Sequence, residues 1–233
     1  MTFIRNGGGF LSAPPGSPPA PAGRERAGLR RFAVPRPAAR PAPADRCGLC
    51  GEQLGADHKH LVDPRSRSIA CACTACALLF TRPGGRYQTV PDRVRHDPGT
   101  ALTDAEWAEL RIPVAIAFFF VNSALRRVVA SYPSPAGVTE SELDLAAWDR
   151  LARAHPLLRA VVPDVEAILI VRAHSRITDG QRDEMFLIPV DMCYSLAGAL
   201  RLNWHGFDGG AEVRAVMAEF LGDIRRRARP LEA

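Results

Sequence analysis

Residues 47–76 read CGLCGEQLGADHKHLVDPRSRSIACACTAC, and five of the chain's six cysteines lie in them: Cys47, Cys50, Cys71, Cys73 and Cys76. Two C-x-x-C pairs, Cys47/Cys50 and Cys73/Cys76, flank a spacer of 22 residues (51–72). A C-x-x-C turn presents two thiolates on one side of a tight loop. Gly48 and Gly51 suit such a knuckle, because glycine tolerates sharp backbone turns. The spacer can fold as a hairpin that carries the second pair opposite the first. It is slightly longer than the usual range of about 15–20 residues, and a few extra loop residues cost little closure entropy. Four thiolates so placed suit a tetrahedral Zn²⁺ ion with Zn–S bonds of ~2.3 Å. Disulfides would need an oxidising compartment, and chance burial of thiols does not produce paired knuckles.

The expected ligands are therefore Cys47, Cys50, Cys73 and Cys76. Cys71, two residues before Cys73, would point to the same face of an extended strand. Cys71, His58 and His60 are thus alternates, with a Cys₃His set using His60 as the next arrangement. An iron–sulfur cluster is a further alternative, since four thiolates also suit that cofactor. Four thiolates leave no open position, so the metal is expected to be structural and to stabilise a segment too short to build its own core.

Outward from this stretch, the composition changes sharply. Residues 1–45 hold nine of the 20 prolines and six of the 19 glycines, a disorder-like composition. Seven arginines against Glu25 and Asp45 give them the whole net charge of +5, so residues 46–233 are neutral. A folded nucleic-acid binder carries its excess positive charge on the domain itself, so nucleic acid is not the expected partner. Arg30-Arg31-Phe32 is followed by no apolar stretch, so an export signal is not expected and the cytoplasm is the expected compartment. The longest apolar run, Val114–Val121, is far short of the ~20 residues of a membrane span.

Further along, Thr103-Asp104-Ala105-Glu106 reads as a capping box opening a short helix to about Leu110, with Trp107 on its inner face. VAIAFFFV (114–121) reads as a buried strand, and RVVASY (127–132) as its hairpin partner. PSPAG (133–137) reads as a loop, followed by an amphipathic helix from about Ser141, with Leu145, Trp148 and Leu151 in register, ending near Pro156. VEAILIVRA (165–173) and MFLIPVD (185–191) suggest a second strand pair, joined by a polar loop. Asp191 is placed to cap a helix bearing Leu196, Leu200 and Trp204. Gly206, Asp208, Gly209 and Gly210 lead into a last helix with Val213, Val216, Met217, Phe220 and Ile224 as its apolar stripe, and Arg225–Arg227 complementing its dipole.

The expected fold class is α+β: a disordered tail (1–45), a zinc-ribbon-like metal-binding module and linker (46–99), and a small antiparallel sheet packed with helices (100–228). No nucleotide-binding, hydrolase or metalloprotease motif occurs, so no catalytic residue is assigned. Glu166 and Glu184 would form a carboxylate pair only if both faced inward, whereas strand ends are usually wet. Cys193 near Asp191 and His205 reads as a small buried apolar residue. His174 reads as exposed and His155 as a helix-end residue.

The segments CGLCGEQLGADHKHLVDPRSRSIACACTACALLF (47–80), RIPVAIAFFF (111–120), YPSPAGVTES (132–141), IPVDMCY (188–194) and NWHGFDGG (203–210) together resemble an uncharacterised actinobacterial family. Genes for that family lie beside those of high-affinity nickel–iron hydrogenases and their maturation factors. The resemblance covers residues 46 to about 225. It implies a hydrogenase accessory role, with a hydrogenase subunit or maturation factor as partner, and it carries over no catalytic residues. The expectation is a non-catalytic accessory or adaptor protein holding Zn²⁺. An iron–sulfur redox protein and a zinc-ribbon nucleic-acid regulator stand as alternatives.

Overall fold

The apolar run at 114–121 is apolar at every position because both of its faces are covered. In the computed structural model, which describes residues 46–231 except 98, 100, 101, 135, 136, 144, 174–181, 207 and 208, it is the strand β5 (Ile116–Asn122). Ile116, Phe118 and Phe120 point to one face of a sheet, Ala117 and Phe119 to the other, and all five are buried. This is the period-two alternation of a strand, here with a core on either side.

Ten strands and six helices make up the described residues. In chain order they are β1 (Lys59–Asp63), β2 (Ser68–Ala72), α1 (Thr74–Phe80), β3 (Gln88–Thr89), β4 (Arg95–His96), α2 (Asp104–Glu109), β5, β6 (Arg127–Ser134), β7 (Gly137–Leu143), α3 (Leu145–Ala154), α4 (Pro156–Arg159), β8 (Glu166–Val171), β9 (Glu184–Pro189), α5 (Val190–Asn203), α6 (Gly210–Arg227) and β10 (Arg229–Pro230). A seven-stranded sheet runs β10-β4-β9-β8-β5-β6-β7. All its neighbours are antiparallel except the short β10–β4 pair. The two expected strand pairs, β5–β6 and β8–β9, are there, and β5 joins them by pairing with β8.

Helices cover both faces of this sheet. On one, Leu196 and Leu200 of α5 and Val213, Met217, Leu221 and Ile224 of α6 pack on Phe118, Leu169, Phe186 and Ile188. On the other, Trp148 and Leu151 of α3 and Leu157 and Leu158 of α4 pack on Phe119, Ile168, Ile170 and Leu187. Each such side chain contributes about 1.5–3 kcal/mol of transfer free energy. The fold class is thus α+β, with an antiparallel sheet between helices.

The capping box forms as expected. The Glu106 N–H donates to Thr103 Oγ1 at 3.2 Å, and the Thr103 N–H donates to Glu106 Oε2 at 2.8 Å. Three details differ from expectation. Residues 137–143 are a strand, β7, which pairs with β6 from Ser134↔Gly137 to Val128↔Leu143, and the helix starts only at Leu145. Asp191 lies inside the first turn of α5, whose cap is Pro189. Glu166 is fully buried rather than wet, receiving Arg93 Nε and Nη2 at 2.6 and 2.9 Å and the Val162 N–H at 2.9 Å. Glu184 pairs with Arg225 and not with Glu166. The segment 1–45, His174 and Asp208 lie outside the described residues.

The cysteine-rich segment builds its own three-stranded sheet, β2-β1-β3. One face of this hairpin lies against the larger body. Val62 of β1 packs with Val90, Val165 and Val190, and Arg67 reaches Glu140 at 2.8 Å.

Candidate metal centre

The Cys47–Cys50 segment is a tight turn closed by Gly51 N–H donating to the Cys47 carbonyl at 2.8 Å. Gly51 has φ +81°, a left-handed conformation that a side chain would strain. Gly48 lies against the hairpin: its N–H donates to the Cys71 carbonyl at 2.8 Å, and a Cβ there would meet Ala70 Cβ at 3.3 Å. The glycines of the first pair therefore serve two purposes, one turning the chain and the other letting it approach β2.

The hairpin β1–β2 then returns the chain, and at Cys73 it leaves the strand. Cys73 is the N-cap of α1, and its Sγ accepts the Cys76 N–H at 3.4 Å. The second pair thus stands on the opening turn of a helix, whereas the first stands on a knuckle loop. The Sγ atoms of Cys47, Cys50, Cys73 and Cys76 all lie within 4.8 Å of one another. Cys50 and Cys73 are 3.8 Å apart. A regular tetrahedron with metal–sulfur bonds of ~2.3 Å has edges of about 3.8 Å, so the cage has the size for one ion. An iron–sulfur cluster places several irons between its thiolates and needs a wider cage. Cys47, Cys73 and Cys76 are buried, while Cys50 is exposed at the rim.

The electrostatics of the four thiols are uneven. The Cys73 backbone N–H, then those of Leu49 and Cys50, stabilise the Cys47 thiolate and lower its pKa to about 6 against the effect of burial. Cys73 is helped by the Cys76 N–H, but burial and the neighbouring Cys50 and Glu52 side chains carry its net shift upward. Burial, followed by the crowding of Cys73, Cys50 and Cys47, pushes Cys76 well above the usual thiol range. Four adjacent thiols cannot all ionise without a cation between them, and a divalent ion supplies that charge. The residues fit a tetrahedral, thiolate-bound ion; both zinc and iron satisfy that description.

The three alternates do not join this cage. Cys71 ends up opposite His60 in the β1–β2 ladder, and His58, His60 and Cys71 form a second group within 4.8 Å of one another. The reason is the end of β2 at Ala72: beyond it the chain turns into α1, so Cys71 and Cys73 no longer share a strand face.

A family model describing proteins of unknown function, DUF5947, matches residues 46–228. The chain belongs to this family. The DUF5947 match takes in both cysteine pairs, both sheets up to β9 and all six helices. No curated protein and no solved structure matches the chain.

The remaining candidates do not converge. Cys193 is half-buried on α5, with its pKa pushed up by desolvation and then by Asp191. Asp191 is taken by His60, while His205 is exposed and bridges to Gly209. His155 is buried, its Nε2 3.0 Å from Glu106. Sequence reading missed two long-range pairs, Asp191 with His60 and Glu166 with Arg93. Their members lie 131 and 73 positions apart, and nothing local signals them. No helix among the described residues is long and apolar enough to cross a membrane.

Proposed function

We propose that this protein is a non-catalytic metal-binding accessory protein in which Cys47, Cys50, Cys73 and Cys76 hold one structural Zn²⁺. The observation that carries this reading is the four-sulfur cage, with every Sγ within 4.8 Å of the others. Its closed donor set leaves no position for a substrate. The ion would lock the knuckle and α1 onto the hairpin, and the larger α+β body would carry that unit.

The partner in this reading is a nickel–iron hydrogenase subunit or maturation factor, and its support is the resemblance of the five segments quoted above. An adaptor also needs a docking surface. Leu78, Leu79 and Phe80 at the end of α1 are 76%, 58% and 47% exposed, directly after the second cysteine pair. Consecutive exposed apolar residues of this size suit a protein contact.

Elemental analysis of the chain, purified reduced and without added metal, tests the centre. One zinc per chain that disappears in Cys50→Ser is expected. Iron in its place would make the centre a redox site, and a chain that neither retains nor takes up metal at these cysteines would end the reading. Capture from a hydrogenase-expressing host tests the partner. Recovery of a hydrogenase or maturation protein, reduced by Leu79→Ser with Phe80→Ser, is expected; recovery of neither counts against it.

A further inference from the structure

The second side-chain group has the makings of a site of its own. His58, His60 and Cys71 are each half-buried, and each offers a ligand atom within 4.8 Å of the other two. Their placement follows from the hairpin. His60 and Cys71 are paired across β1 and β2, and His58 stands just before β1. The two imidazoles meet edge to face, their centroids 4.9 Å apart and their planes at 79°. Such an arrangement lets two rings aim at one point.

Hydrogen bonds assign the tautomers. His58 Nδ1 lies 2.9 Å from the Gly55 carbonyl, which can only accept, so Nδ1 carries the proton. His60 Nδ1 lies 2.6 Å from Asp191 Oδ2, so it too donates. In both neutral rings the lone pair is then on Nε2. His58 Nε2 is buried and has no hydrogen-bond partner. A buried acceptor left unsatisfied is costly and calls for an explanation. Metal-bound histidine usually has its Nδ1–H held by a carbonyl or carboxylate in this way, with Nε2 left for the ion.

We propose that His58 Nε2, His60 Nε2 and Cys71 Sγ form a second metal site, distinct from the four-thiol cage, for a divalent first-row transition ion such as Zn²⁺. Two imidazoles and a thiolate suit that class of ion. Three protein ligands leave a fourth position for water or an added anion, unlike the closed cage next to it. Asp191, reaching in from the first turn of α5, is a positioning residue: it orients His60 and ties the site to the larger body. A nucleophilic Cys71 activated by His60 and Asp191 would use the same three groups, but it gives no role to the buried His58 Nε2.

The full chain, with its cage zinc in place, is titrated anaerobically with Co²⁺. The expected result is one further equivalent with the absorption of tetrahedral, thiolate-bound cobalt, shifted on adding azide. That equivalent is lost in His58→Ala and in Cys71→Ser, while the zinc content is unchanged. Asp191→Asn weakens it by about 10- to 100-fold without abolishing it. Unmodified chain supplies an independent readout, because added Zn²⁺ then protects Cys71 from alkylation in peptide mapping. Absence of a second cobalt equivalent, its persistence in both variants, or alkylation of Cys71 indifferent to Zn²⁺ overturns the proposal. Loss of the cage zinc in Cys50→Ser alone is read separately and bears only on the structural centre.

Discussion

Asp63 ends β1 with its side chain almost fully enclosed. Its Oδ1 accepts the Arg65 N–H at 3.0 Å and the Ser66 N–H at 3.5 Å, shaping the turn into β2, and its Oδ2 accepts Arg86 Nε at 2.7 Å. Arg86 first, then the two amides, hold this carboxyl below the usual carboxylate range despite burial. Glu106 is also lowered, by the Thr103 N–H first and by His155 after burial is overcome. A carboxyl lowered on folding contributes stability fully present above its unfolded value, about 4. That contribution disappears as pH falls through the lower folded value. The chain is therefore expected to lose stability below about pH 4, and Asp63→Asn, which starts less stable, should show a shallower loss. Urea midpoints measured at a series of pH values check this. Glu166 carries a second prediction. Its removal in Glu166→Ala leaves the Val162 N–H without its acceptor and Arg93 without its partner, at a cost of about 3 kcal/mol by denaturant unfolding. The sequence placed this carboxylate in water because strand ends are usually wet, and its partner Arg93 is too distant along the chain to be anticipated.

At the scale of elements, legibility followed the strength of the local signal. The capping box at Thr103, the all-apolar run of β5, and Trp148 with Leu151 on α3 are local patterns, and each became the element they imply. The strand β7 was not legible. Its GVTESEL is polar because β7 is the last strand on its side of the sheet, and Ser141 imitates a helix cap. What makes it a strand is seven-residue pairing with β6, a tertiary fact. The metal cage was legible as a set of four cysteines, because paired C-x-x-C spacing is local. The separate His58/His60/Cys71 group was not, because it depends on where β2 stops. Gly209 offers a test of one element boundary. It caps α6 with φ +80°, and a Cβ there would come within 2.8 Å of the Val213 side chain. Gly209→Ala should cost about 1–3 kcal/mol from backbone conformation alone, and more from displacing Val213, read as a lowered melting temperature.

Across the whole molecule, stability is distributed in two unlike ways. The seven-stranded sheet is held between two large apolar clusters. The cysteine segment has a small one, and three of its six buried members, Cys47, Cys73 and Cys76, are cage residues. Four valines and a few polar contacts attach it to the body. A cluster this small does little to offset the entropy of ordering its strands; in the proposed reading the bound ion supplies the difference, since thiolate-bound zinc contributes on the order of 10 kcal/mol in small modules. Chelation under reducing conditions should therefore release the hairpin and α1 while leaving the large sheet folded. In hydrogen exchange, amides of β1 and β2 should lose protection on metal removal, those of β5, β8 and β9 should keep it, and readdition of Zn²⁺ should restore the first set. The valine contact at Val165 and Val190 sets the boundary of this unfolding, because it is where the hairpin meets β8 and α5. Equal loss of protection in both sheets would mean that the body depends on the ion as well, and no loss in either would mean that the hairpin stands without it.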